Sequence, residues 1–370
     1  MAGIRQHIIP KLLQKGFASR VDKDQVFTWV YRKNATPFQA NINNINVEKY
    51  FYGKSGNLNA DDEITDVEKY KLAPLINEIR DGICDFEKSK TEIGGLVAHF
   101  SIRTKLVREG FRDMSEQMLR GMGEITTDEK VLENLFLNPP KHLIEEQFDA
   151  VLSDSNNEEL KNAFQIFKIL GIPKNDVKNF ITDLTFAEFE NEETRNDNKD
   201  ILTKLFSETF EKSVELIPDY IKEGHIKSLA KNTIPKPRVE KYKEMDWSVF
   251  ETVSPLILGD VACISKNFND NEFRPSCNLE NVSQIYLPIS ATQLLVGTFN
   301  SEKVETDVKI LNKAIAQCSY EQFICSELSE DKVELIQFIR TNSQLVNDDE
   351  IKNELDEIRN NFEKLHQKDS

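Results

Sequence analysis

The first sixty residues combine a short helical pattern with an alternating one. Pro10 suits the first position of a helix, because a proline has no N–H that would need a partner there. Gly16 follows within the same apolar stretch and would let another backbone approach closely. Residues 26–33 are rich in β-branched and aromatic side chains, and a turn signal at 34–37 precedes a second apolar stretch at 38–45. This pattern predicts a helix followed by a β-hairpin.

Apolar residues then recur at helical spacing through residues 63–232, which predicts a helical region. Its clearest helix is predicted over residues 93–112, where His99 and Arg103 lie one turn apart beside the apolar face. Residues 124–232 form an acidic helical block whose apolar stripes are typical of a packed core.

Short apolar runs return from Trp247 onwards and predict strands, notably over residues 255–264, 285–289 and 294–299. A basic, proline-containing stretch at residues 233–246 precedes them and is predicted to be a connector. A charged amphipathic helix is predicted over residues 348–366.

Together these patterns predict a mixed, predominantly helical α+β fold. The N-terminal hairpin (residues 1–60) and the late strands (247–325) would form one sheet against the helical block (63–232). We expect a single domain over residues 1–330, followed by a C-terminal helical extension over 331–370.

Composition narrows the class of protein. The 370 residues carry a net charge of −16, which argues against a protein that coats nucleic acid with a broad basic face. An enzyme that meets nucleic acid through one local basic pocket is not excluded. The five cysteines are an odd number without a Cys-x-x-Cys pair, as expected of reduced thiols. Because no window approaches 18 apolar residues, we expect a cytoplasmic protein without a membrane partner.

Three ionisable residues stand out as candidates for chemistry. His7 comes just before the first predicted helix, where backbone donors and a partial positive charge converge. Arg103 could point with His99 at one ligand, although a buried polar pair satisfied by neighbouring helices is the alternative. Asp260 interrupts an apolar run, where a carboxylate is costly unless it is paired or functional.

The same residues carry a resemblance to a known family. Gln6-His7-Ile8-Ile9-Pro10 resembles the Gln-His-Tyr-Val-Pro opening of the bacterial domain of unknown function 4238 family. Arg103-Thr104 resembles its helical Arg-Thr-Pro motif, although Lys105 replaces the proline. Leu258-Gly259-Asp260-Val261 is similar to its Thr-Ser-Asp-Asn-Pro segment, with Gly259 in place of the serine. Leu287-Pro288-Ile289-Ser290 is similar to its Leu-Pro-Leu-Ser motif.

The resemblance supplies no established reaction, but it implies that the separated motifs meet. We therefore expect a composite site with His7, Arg103 and Asp260 as catalytic residues. Their sequence neighbours are the expected substrate-binding residues, namely Gln6, Lys11 and Thr104.

Two functions are consistent with such a site. The first is a hydrolase acting on a phosphodiester in a nucleic acid or nucleotide, including a role as an effector in bacterial antiviral defence. His7 would be the general acid/base, Arg103 would hold the phosphate, and Asp260 would orient His7 or bind a divalent metal. The metal and any other cofactor stay open.

The second function is a non-catalytic ligand-sensing or protein-interaction module. The same three residues would then form a structural polar network. The acidic helical block or the C-terminal helix would contact a protein partner or a second copy of the chain.

Overall fold

The computed structural model describes residues 5–53, 60–133, 192–268, 272–276, 281–299 and 304–365. Twelve strands are described, with bounds β1 Arg5–His7, β2 Arg20–Asp22, β3 Gln25–Arg32, β4 Phe38–Asn41, β5 Val47–Lys49, β6 Asp246–Glu251, β7 Leu258–Gly259, β8 Ile264–Asn267, β9 Phe273–Pro275, β10 Val282–Pro288, β11 Gln293–Thr298 and β12 Gln322–Cys325.

The described helices are α1 Lys11–Gln14, α2 Ala60–Val67, α3 Ala73–Arg80, α4 Lys90–Ile102, α5 Lys105–Thr127, α6 Glu129–Leu132, α7 Glu192–Lys231, α8 Lys236–Tyr242, α9 Val308–Cys318, α10 Glu330–Glu334 and α11 Asp348–Leu365. A π-helix, Glu68–Leu72, joins α2 to α3. Residues 134–191 of the predicted acidic block lie outside the described residues.

Contacts between Cα atoms divide the chain into two units. The first comprises residues 1–112 and 218–346 and contains all the described strands. The second comprises residues 113–217 and 347–370, and its described part is helical. Within the second unit, Gly121 faces Leu355 and Gly123 faces Phe210. The predicted division lies at one sequence position, residue 330, whereas each of these units combines separate segments of the chain. The predicted division therefore stays a prediction.

The prediction of a mixed α+β fold is confirmed. The hairpin β3–β4 forms as expected, and β3 also pairs antiparallel with β12. The order β2-β3-β12-β7 therefore joins the N-terminal hairpin to late strands in one sheet. The other late strands do not join this sheet, contrary to the predicted single sheet. They form a second antiparallel sheet with the order β6-β11-β10-β8-β9, while β1 and β5 make a two-stranded ribbon. Tyr31 of β3 stacks on Phe323 of β12, with ring centroids 4.8 Å apart, inside the main core.

Three local predictions were wrong. The strand predicted over residues 255–264 forms only as β7 and the first residue of β8, with Asp260 in a bend between them. The connector predicted at residues 233–246 contains α8, because Pro235 and Pro237 occupy positions at the start of a helix where no N–H is needed. The predicted helix over residues 93–112 is two helices, α4 and α5. Arg103 ends α4 with φ −101° and ψ 24°, and the Thr104 hydroxyl accepts the Val107 N–H (3.3 Å) at the start of α5.

The close backbone approach expected at Gly16 is confirmed. A Cβ on Gly16 would lie 2.5 Å from the carbonyl oxygen of Ile289 and 2.9 Å from Cα of Ser290. The Ala291 N–H also donates to the Gly16 carbonyl (2.9 Å). The opening motif therefore packs directly against the Leu287–Ser290 motif.

We expect Gly16→Ala to destabilise the protein by about 2–3 kcal/mol, because the added methyl group meets backbone that cannot rotate away. Urea unfolding monitored by circular dichroism measures the change. Gly224→Ala is the matched control, since, apart from the backbone of its own helix, no atom of the described residues lies within 4 Å of a Cβ at that position. The control should be neutral or up to about 1 kcal/mol more stable. Equal effects of the two substitutions would contradict the packing argument.

Candidate functional site

The opening motif lies in β1, which pairs with β5. Gln6 is buried, and its side-chain amide forms hydrogen bonds with the backbone of Tyr52 and Gly53. Its Oε1 accepts the Tyr52 N–H (2.5 Å), and its Nε2 donates to the Gly53 carbonyl (3.2 Å). Gln6, predicted to bind substrate, thus holds the segment after β5 against β1.

His7 is half-buried and lines a cavity. Its Nε2 lies 3.1 Å from the Ile42 carbonyl oxygen, so Nε2 carries the proton and donates it. Nδ1 then carries the lone pair, and it has no hydrogen-bond partner in the described part of the chain. Burial lowers the pKa of His7 to about 4, which leaves the imidazole neutral at neutral pH.

Arg103 is the centre of a buried polar network, and its position follows from the break between α4 and α5. Its Nε donates to the Tyr52 hydroxyl (2.8 Å) and its Nη2 to the His7 carbonyl (2.9 Å). Nη1 donates to His99 Nε2 (2.6 Å) and forms an ion pair with Glu68. Tyr52 closes the network by donating its hydroxyl proton to the His7 carbonyl (3.0 Å).

The partners of His99 define its protonation. Nδ1 lies 2.9 Å from the Thr233 carbonyl oxygen and must donate, so Nε2 is left to accept from Arg103. Burial, with the nearby Arg103 charge, lowers the pKa of His99. His99 and Arg103 therefore contact each other inside the protein, and neither nitrogen of His99 remains for a ligand.

Glu68 belongs to this site, although it was missed from the sequence. It opens the π-helix, in which the Ala73 N–H bonds to the Glu68 carbonyl five residues back. Pro74 explains the wide turn, because it has no N–H for an ordinary helical bond to Tyr70. Burial alone would raise the pKa of Glu68, but Arg103 and His99 outweigh it and lower the pKa. The sequence signal that could have indicated this π-helix is Pro74, a proline inside a helical pattern.

His7, Glu68 and Arg103 line a pocket of about 390 Å³. One wall comes from β1 and α1 and the other from α2 and the π-helix, with Arg103 and Tyr52 at their junction. The described lining residues are Arg5, Gln6, His7, Lys11, Leu12, Tyr52, Asp61, Ile64, Thr65, Glu68, Lys69, Ala73 and Arg103. Lys11, predicted to bind substrate, is exposed here. We call this cavity the motif pocket.

Asp260 lies elsewhere, in the bend that follows β7. Its Oδ1 accepts the Tyr320 N–H (2.7 Å), and its Oδ2 accepts the N–H groups of Glu321 (2.7 Å) and Gln322 (3.1 Å). Burial raises the pKa of Asp260 to about 6, against the lowering effect of these donors. Neither Asp260 nor its sequence neighbours Gly259 and Val261 are among the described residues that line the motif pocket. The structure thus brings Arg103 to His7 but not Asp260.

The Arg-Thr and Asp motifs nevertheless meet through packing. Leu106 forms a small buried cluster with Val261 and Tyr320, and Lys105 pairs with Glu321 (Nζ to Oε1, 2.6 Å). Thr104, predicted to bind substrate, is almost fully buried and caps α5. The catalytic roles assigned to His7, Arg103 and Asp260 stay predictions.

The described ranges contain no group of three or more His, Cys, Asp or Glu side chains arranged to hold a metal ion. The described helices include none long and apolar enough to cross a membrane. Cys84, Cys263, Cys318 and Cys325 are free thiols, while Cys277 lies outside the described residues.

No curated protein and no solved structure matches the chain. A family model described as a protein of unknown function (DUF4238) matches residues 5–329 and confirms the resemblance seen in the motifs. The chain therefore belongs to the DUF4238 family.

Proposed function

We propose that the motif pocket binds a phosphate-bearing ligand, a nucleotide or nucleic acid, and that the protein hydrolyses a phosphodiester bond there. The observation that carries this proposal is the charge of the lining. Four cationic side chains and two carboxylates line the pocket, whereas the chain as a whole has a net charge of −16. A locally positive cavity on an acidic protein concentrates an anionic ligand at one place.

Arg5 and Lys11 are the groups available to hold the phosphate. Both are exposed at the pocket, on the wall formed by β1 and α1. Arg103 is less suited to the forked phosphate contact expected from the sequence, because four of its N–H groups already have protein partners. Its role in this proposal is positioning, since it holds the backbone of His7.

His7 is the proposed general base. The Ile42 carbonyl fixes the tautomer, so the Nδ1 lone pair is the one available to take a proton. A water oxygen bonds to phosphorus as its proton passes to Nδ1. The bond from phosphorus to the leaving oxygen breaks, and the imidazolium returns its proton to that oxygen. The phosphodiester becomes a phosphomonoester and an alcohol, and the imidazole is neutral again.

The test is hydrolysis of RNA, DNA and dinucleotides by the wild-type protein and by His7→Gln. Removal of the base should lower kcat at least about 100-fold. With the pKa of His7 at about 4, the wild-type rate should be flat above about pH 5 and should fall at lower pH as the imidazole takes up a proton.

His225→Gln is the matched control. His225 also has a pKa lowered to about 4 by burial, but it does not line the motif pocket. It should keep wild-type activity in preparations whose circular dichroism spectrum is unchanged. Cleavage that persists undiminished in folded His7→Gln would overturn the proposed role of His7.

A second candidate function is ligand sensing without catalysis, and the burial of Arg103 favours it. A guanidinium that is 2% exposed and bonded on several sides is typical of a structural network. Under this alternative no substrate is cleaved. Nucleotide binding would still raise the melting temperature of the wild-type protein.

A further inference from the structure

The two walls of the motif pocket differ in charge. The wall from β1 and α1 carries Arg5, His7 and Lys11, which are cationic or neutral. The wall from α2 and the π-helix carries Asp61, Thr65 and Glu68, spaced so that they share a helix face, together with Lys69. A phosphate that binds the first wall leaves the second wall facing another part of the same ligand.

Glu68 has one carboxylate oxygen that can contact the part of the ligand facing the second wall. Its Oε1 is taken by Arg103 and lies 3.7 Å from His99 Nε2. Its Oε2 has no hydrogen bond in the part of the chain that the structure describes, and the side chain is one-fifth exposed at the pocket. Because Arg103 keeps the carboxylate ionised, Oε2 can only accept a hydrogen bond. A second phosphate is therefore disfavoured beside it, and a hydroxyl group is favoured.

We propose that Glu68 Oε2 accepts a hydrogen bond from the ribose 2′-hydroxyl, so that the motif pocket selects ribonucleotides over deoxyribonucleotides. The 2′-hydroxyl is the donor that distinguishes RNA from DNA, and a carboxylate is a common acceptor for it in nucleotide sites. This inference rests on the proposed function, because it takes the phosphate to lie against Arg5 and Lys11.

The test compares binding of AMP and 2′-deoxy-AMP to the full chain by isothermal titration calorimetry. Neither probe contains a phosphodiester bond, so binding is measured apart from hydrolysis. A hydrogen bond to a charged acceptor should make the Kd for AMP about tenfold lower or more. In Glu68→Gln, Arg103 holds the amide oxygen and the amide N–H₂ faces the pocket. The amide N–H₂ group cannot accept a hydrogen bond, so the ratio of the Kd values for the two probes should fall close to one.

Glu63→Gln is the matched control in α2, the helix that leads into the π-helix, because Glu63 is exposed and does not line the pocket. It should keep the wild-type ratio. Equal wild-type affinities for the two probes would overturn the selection of ribose while leaving phosphate binding intact, and this comparison stands even if Glu68→Gln fails to fold. An unchanged ratio in folded Glu68→Gln would overturn the role of Glu68. Binding of neither probe at millimolar concentration would instead remove the proposed function on which the inference rests.

Discussion

Arg103→Met should lower the free energy of unfolding by about 3–5 kcal/mol, because it removes one partner of a buried ion pair and leaves the other uncompensated. Glu68 would keep a carboxylate at the rim of the core without its cation. The Tyr52 hydroxyl would lose the N–H that it accepts, and the His7 carbonyl would lose one of its two donors. Urea unfolding followed by circular dichroism measures the loss.

Two further variants separate this mechanism from a general effect of losing an arginine. Arg20 is exposed and lies 4.5 Å over the ring of Phe27, so Arg20→Met should change stability by less than about 1 kcal/mol. The double variant Arg103→Met/Glu68→Gln removes both charges and should recover part of the loss. A double variant that is less stable than Arg103→Met alone would show that the ion pair is not the cause.

Much of the fold was predictable because its signals are local. The hairpin β3–β4 follows from alternation and a turn, and β10 and β11 follow from the short apolar runs at residues 285–289 and 294–299. Gly16 was also predictable, since a glycine among core residues often marks a close approach of backbone. Its partner at Ile289 was not, because it lies far along the chain.

The site was harder to predict because its hydrogen bonds join distant segments. Spacing placed His99 and Arg103 on one helix face, but Arg103 ends α4, and its side chain reaches Tyr52 and the His7 carbonyl. Glu68 was one acidic residue among many, and only the π-helix before Pro74 turns it towards Arg103. The periodicity of apolar residues along the sequence predicts neither contact.

The placement of Asp260 changes how the family motifs relate to one another. The cost of a buried carboxylate correctly singled it out, but its partners are backbone N–H groups rather than His7. The side chain of Gln322 donates to Asn46, whose carbonyl accepts the Ile8 N–H. The late motif therefore supports the opening motif through main chain and amides, and Asp260 is not among the described residues that line the motif pocket.

Asp260→Ala should accordingly destabilise the protein by about 3–5 kcal/mol, since it leaves two buried N–H groups and one partly buried N–H group without an acceptor. Asp307→Ala is the matched control, because Asp307 accepts two N–H groups at the exposed start of α9, and loss of such a cap costs about 1 kcal/mol. Differential scanning calorimetry should rank wild type, Asp307→Ala and Asp260→Ala in decreasing stability. If Asp260→Ala were as stable as the control and had lost hydrolysis, Asp260 would act in catalysis after all, and its support of the turn before β12 would be secondary.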